Sequence, residues 1–161
     1  MSDLFDAAPR AGSMPLAAEL RPATLDDVIG QQKVIGEGTM LRRRIAAGRL
    51  GSIILYGPPG LGKTSIARIL AHEINGLPYT DESTHLDIIE IDAASNNGVD
   101  DIRDLRERVM VAPTSARKKI YIIDEVHMLS KPAFNALLKT LEEPPEHVVF
   151  ILATTDVEKV P

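Results

Sequence analysis

A chain of 161 residues, 44% hydrophobic and 25% charged, has the makeup of one ordinary globular domain and is short for two. It contains no cysteine, which excludes disulfides and thiolate metal sites, and its four histidines lack metal-ligand spacing and read as surface or structural residues. The net charge of −5 argues against a basic footprint over the whole domain, although a local patch for nucleic acid remains compatible with it.

Residues 1–14 mix Ala, Pro, Gly, Ser and Asp without periodicity and are expected to form a flexible lead-in, followed by one ordered domain over 15–161. In the first ordered segment, Thr24 can cap a short helix whose first turn carries Asp26 and Asp27, favourable at a helix's positive end. Met40 to Ala47 reads as a basic amphipathic helix closed by Gly48. Strand and helix then alternate. Apolar strands are expected at 52–56, 86–91, 119–124 and 147–154. Between them, helices are expected at Lys63 to Asn75, at Val99 to Val111 with Ile102, Leu105 and Val109 on one face, and at Ser130 or Lys131 to Glu143. Near-continuous apolar strands separated by helices predict a three-layer α/β fold around a mostly parallel sheet. The chain stops soon after its fourth strand, so an incomplete domain is expected. No apolar run approaches the roughly 18 residues of a membrane span. The start, Met1 to Asp6, has neither a basic region nor an apolar core, so a cytoplasmic address and no membrane contact are expected.

The string GPPGLGKT, Gly57 to Thr64, follows a strand and opens a helix. Polyphosphate needs a surface of backbone N–H groups, and Gly57, Gly60 and Gly62 let the chain approach it without side-chain clash, with Pro58, Pro59 and Leu61 between them. Lys63 is expected to reach the β- and γ-phosphates of ATP and the Thr64 hydroxyl to ligate Mg²⁺. Ser65, just beyond, is counted with the nucleotide-contacting residues.

A second string, IYIIDEVH, ends an apolar strand at Asp124, at the carboxyl edge where open α/β sheets bind ligands. Asp124 can hold the Mg²⁺ shell, and Glu125 can orient or deprotonate an attacking water. A solvated acidic turn is the alternative, and the phosphate loop upstream weighs against it. His127 makes the pattern D-E-x-H, and a structural role is expected for it. In ILATTD, two hydroxyl residues end the fourth strand, where one could bond the attacking water or the γ-phosphate.

These three strings in this order resemble the AAA+ ATPases. From residue 88 onward, IEIDAASNNGVDDIRDL and KIYIIDEVHMLSKPAFNALLKTLEEPPEHVVFILATTD closely resemble the gamma/tau subunit of the bacterial DNA polymerase III clamp loader. The earlier strings PLAAELRPATLDDVIGQ and LRRRIAAGRLGSIILYGPPG are similar to recombination factors of the RarA/MgsA type, and LYGPPGLGKT also occurs in the RuvB motor. By that resemblance, Asp124 and Glu125 match the Walker B pair, and Thr155, rather than Thr154, matches the sensor 1 residue. Leu20, Arg21, Val28 and Ile29 match the segment lining the adenine pocket. The resemblance implies an ATPase that assembles in a ring with other clamp-loader subunits, opens a sliding clamp and grips primer–template DNA. Arg103 is the candidate phosphate contact, or else it pairs with Asp100 or Glu107. Alternatives are a recombination or branch-migration ATPase and an ATP-binding scaffold that never turns over.

Three departures qualify the resemblance. Relatives usually carry a four-cysteine zinc module where this chain has only GLPYTDESTH, so no zinc is expected. Asn96 to Gly98 are uncharged where some relatives place basic residues. The family's trans-acting arginine, sensor 2 arginine and lid would fall beyond Pro161, so the chain alone is expected to hydrolyse ATP poorly.

Overall fold

In the computed structural model, residues 15–79 and 85–160 are described, so the expected lead-in at 1–14 and the tip of the GLPYTDESTH stretch lie outside the described residues. Short helices α1 (Leu16–Glu19), α2 (Gln32–Ile35) and α3 (Met40–Ala46) precede the alternating part of the chain. There, β1 (Ile53–Tyr56), α4 (Lys63–Asn75), β2 (Ile88–Asp92), α5 (Val99–Val109), β3 (Lys119–Asp124), α6 (Lys131–Glu142) and β4 (Val148–Thr154) follow one another. Single 3₁₀ turns occupy Leu25–Asp27, Val126–Met128 and Val157–Lys159. All strand pairs are parallel, in the order β1-β4-β3-β2.

Both central strands are buried on both faces, which is why they read as unbroken apolar runs. Their side chains still alternate. Ile120, Ile122, Val149 and Ile151 pack against Ile66, Ala67, Ile69, Leu70 and Ala71 of α4, with Leu25 and Ile35 joining that face. Tyr121, Ile123, Val148, Phe150 and Leu152 face α5 and α6 through Ile102, Leu105, Val109, Ala133, Phe134 and Leu137. These are the three layers the strand–helix alternation predicts.

Helix ends follow from local chemistry. The α4 helix stops at Gly76, whose φ of 64° a β-carbon would strain, with the Leu77 N–H returning to the His72 carbonyl. Ser130 caps α6 by accepting the Ala133 N–H at 3.3 Å. The buried Lys119 ammonium donates to the carbonyls of Arg108 (2.9 Å) and Val111 (3.3 Å), and His147 Nε2 lies 3.0 Å from the Val109 carbonyl. A cation beside those orphan carbonyls fixes the end of α5. It stops at Val109, two residues short of the expected end, leaving Met110 and Val111 exposed.

The second strand also starts two residues later than its apolar pattern suggests, because Asp87 serves another purpose. Its buried carboxylate accepts the N–H groups of Thr114 (2.7 Å), Ser115 (2.9 Å) and Ala116 (2.9 Å), pinning the loop between α5 and β3. Burial alone would push this carboxyl up, but the three N–H groups, with His85 nearby, outweigh it and hold it down at about 2. The folded value lies below the unfolded one of about 3.9, so the stabilisation is complete above about pH 4 and is lost as pH falls toward 2. Asp87→Asn is expected to cost about 2 kcal/mol of unfolding free energy at pH 7 and clearly less at pH 3, read from urea denaturation. Equal losses at both pH values would show that the charge is not the cause.

Candidate nucleotide site

The strand order sets the carboxyl ends of β1, β4 and β3 side by side. Tyr56 is level with Thr154, and Asp92 with Asp124. The turns leaving these ends therefore converge on one edge, although they are far apart in sequence.

From β1 the chain enters the glycine loop. Gly60 and Gly62 take φ of 82° and 74°, in the left-handed region where a β-carbon is strained. At Gly57, a β-carbon would sit 2.9 Å from Leu61 Cδ1. The loop opens α4 directly, with the Ile66 N–H bonding the Gly62 carbonyl at 2.8 Å, so the helix's free N–H groups face the loop's hollow. Lys63 Nζ donates to the carbonyls of Gly57 and Pro58, each at 2.8 Å, which folds the ammonium back along the loop. Thr64 Oγ1 donates to Asp124 Oδ2 at 2.6 Å. This bond joins the two sequence motifs. A hydroxyl and a carboxylate in contact form a hard-oxygen donor set that fits Mg²⁺, which takes few protein ligands and completes its shell with phosphate and water. Among the described residues no cluster of three or more His, Cys, Asp or Glu offers an all-protein cage.

Glu125 follows β3 in the left-handed region, with φ 50° and ψ 45°. A non-glycine residue there costs about 1–2 kcal/mol and needs its surroundings to hold it. The holding bonds are visible: its N–H donates to Asp124 Oδ1 (2.9 Å) and its carbonyl accepts the Met128 N–H (2.8 Å). The conformation turns the side chain toward β4, where Thr155 Oγ1 donates to Glu125 Oε2 at 3.2 Å. Thr154, wholly buried, contacts His127 Nδ1 at 2.9 Å and accepts the Asp156 N–H at 3.1 Å.

Lys63, Thr64, Asp124, Glu125 and Thr155 thus meet at one edge, with His127 and Thr154 beside them. From sequence alone a structural role is expected for His127, and only its D-E-x-H setting points elsewhere. Beside the loop lies a hollow of about 190 Å³, lined by Gln31, Val34, Ile35, Leu41, Tyr56 and Leu61 with parts of β1 and α4. Leu20, Arg21, Val28 and Ile29 are not among its lining residues: Leu20 and Ile29 are exposed, and Val28 packs on the α4 face of the core. Arg103 is exposed and pairs with Asp100 at 3.1 Å, the local alternative to a phosphate contact.

The structural relatives define the class. The Thermotoga maritima RuvB Holliday junction branch migration motor superposes with a TM-score of 0.65 at 28% identity, over 88% of this chain and 44% of that one. A Thermotoga maritima DNA polymerase III gamma subunit-related protein superposes with a TM-score of 0.63 at 28% identity, over 75% of this chain and 40% of that one. The fold is that of a P-loop domain of the AAA+ type. Residues 31–161 match the model of the family described as DNA polymerase III, delta subunit, and the chain belongs to that family. Within it, the chain is similar to Escherichia coli DNA polymerase III subunit tau, 49% identical over 161 residues that cover 91% of this chain. It spans about a quarter of that relative's length. No helix among the described residues is long and apolar enough to cross a membrane.

Proposed function

We propose that this chain is the ATP-binding module of a clamp-loader ATPase acting in DNA replication. The observation that carries the reading is the Thr64–Asp124 hydrogen bond at 2.6 Å, with Glu125 and Thr155 beside it on the same sheet edge. The loop's N–H groups bind the polyphosphate and Lys63 supplies a cation to it. Thr64 and Asp124 hold Mg²⁺, which when bound neutralises phosphate charge. Glu125 orients the attacking water and takes its proton, and the Thr155 hydroxyl faces the same water or the γ-phosphate. The hollow beside the loop receives adenine on Val34, Ile35, Leu41 and Tyr56. ATP and ADP are accordingly the nucleotides expected to bind. Efficient hydrolysis needs a cation from a neighbouring subunit, because charge developing on the γ-phosphate is otherwise met by Lys63 alone among the loop residues.

The likeness to RuvB supports a branch-migration motor as second reading, whereas the 49% identity to a tau subunit favours the clamp loader. An ATP-binding scaffold would have no use for a carboxylate held at a strained backbone next to the loop. The full-length protein is expected to retain a sliding clamp on an affinity column with ATP–Mg²⁺ and to release it with ADP. Clamp retention indifferent to nucleotide would remove the clamp-loader reading, and ATP-driven movement of four-way junctions would replace it.

A further inference from the structure

The imidazole of His127 sits between Thr154, at the buried end of β4, and Glu125, the group that the proposed chemistry uses. Its Nδ1 is 2.9 Å from Thr154 Oγ1 and 3.4 Å from Glu125 Oε2. The same Glu125 oxygen accepts the Thr155 hydroxyl at 3.2 Å. A carboxylate oxygen only accepts, so a bare nitrogen at 3.4 Å would set lone pair against lone pair. A proton on Nδ1 turns this contact into an attraction, shared between Thr154 and Glu125.

The two side chains differ in freedom. His127 is 11% exposed, seated on the buried end of β4, and its turn is anchored by Val126 in the core. Glu125 is 38% exposed; among the described residues its carboxylate accepts the Thr155 hydroxyl and has His127 Nδ1 at 3.4 Å. Of those two neighbours, the Thr155 hydroxyl can exchange partners, because it rotates and stands at the strand tip facing the phosphate edge. The imidazole cannot follow it, being held by Thr154.

We propose that His127 is a positioning residue for Glu125: its Nδ1–H is the fixed donor that keeps the carboxylate aimed at the water site when Thr155 turns to the γ-phosphate. This rests on the reading of Glu125 as the water-activating group. It assigns His127 no contact with nucleotide, so binding and chemistry separate in the test.

In the assembled full-length protein, His127→Ala is expected to lower kcat about tenfold with KM for ATP within about twofold of the parent, since a lost orientation acts only in the transition state. His127→Asn, whose side-chain amide N–H occupies nearly the Nδ1 position, is expected to recover kcat to within about threefold of the parent. Combined with Glu125→Gln, His127→Ala is expected to add no further loss, because it acts through the carboxylate. In the 161-residue chain, ¹⁵N spectra of the imidazoles should show a protonated Nδ1 for His127, assigned by its disappearance in the Asn variant. Unchanged kcat in the Ala variant, an Asn variant as slow as Ala, an additive double variant or a bare Nδ1 would each overturn the assignment. Turnover surviving Glu125→Gln alone would instead overturn the reading of Glu125, a different failure with a different signature.

Discussion

Glu125→Gln is expected to leave ATP affinity within about twofold of the parent and to lower turnover at least about 100-fold in the assembled full-length protein. The substitution is nearly isosteric, and a glutamine carbonyl can still accept the Thr155 hydroxyl that Glu125 Oε2 accepts at 3.2 Å. The left-handed backbone at Glu125 is held by main-chain bonds to Asp124 and Met128, which the amide does not disturb. What is lost is the capacity to take a proton from water, and general-base catalysis of this kind is worth about 100-fold to 10,000-fold. Binding should survive because the residues beneath the phosphates are Gly57 to Thr64, not Glu125. Phosphate release and titration with a fluorescent ATP analogue read the two quantities separately. Turnover within threefold of the parent would mean that another group activates the water.

How much of this was legible beforehand depends on the range of the interaction. The helix over Val99–Val109 showed itself through Ile102, Leu105 and Val109, because a 3.6-residue period is written locally. Gly60 and Gly62 announced the loop, because left-handed backbone demands glycine there. The order β1-β4-β3-β2 is a matter of right-handed crossovers between distant strands, and no local period encodes which strand lies beside which. That order is what brings Thr154 and Thr155 beside Glu125. Thr155 therefore rested on resemblance, and His127 read as structural because its contact spans 27 residues of sequence. The hollow escaped for a related reason: Val34, Ile35, Leu41 and Tyr56 come from three separate elements, with Gln31 at φ 55° turning the chain toward them. Asp87 looked like the polar flank of a strand, since nothing nearby in sequence reveals three N–H groups arriving from 114–116.

Lys63→Ala is expected to weaken ATP–Mg²⁺ binding by the chain about 100-fold or more. The ammonium lies against the loop, donating to the carbonyls of Gly57 and Pro58 at 2.8 Å, so it is delivered to the phosphates without ordering a free side chain. Two charge-assisted hydrogen bonds to phosphate oxygens, at about 1.5 kcal/mol or more each, come to about 3 kcal/mol, or about 100-fold in Kd. Without that cation the bound polyphosphate faces Asp124 and Glu125 on a chain whose net charge is already −5, which adds repulsion to the lost bonds. Lys63→Arg should recover only part of the affinity, because a planar guanidinium cannot nest as the compact ammonium does beneath Gly57 and Pro58. The fold should be little affected, since Lys63 begins α4 outside the buried set of Ile66, Ala67, Ile69 and Leu70. Calorimetric titration of the chain with ATP–Mg²⁺, alongside a thermal melt, reads both effects without any partner subunit. A Kd within threefold of the parent, at unchanged melting temperature, would take Lys63 out of the phosphate site. The loop's N–H groups would then have to carry the binding alone.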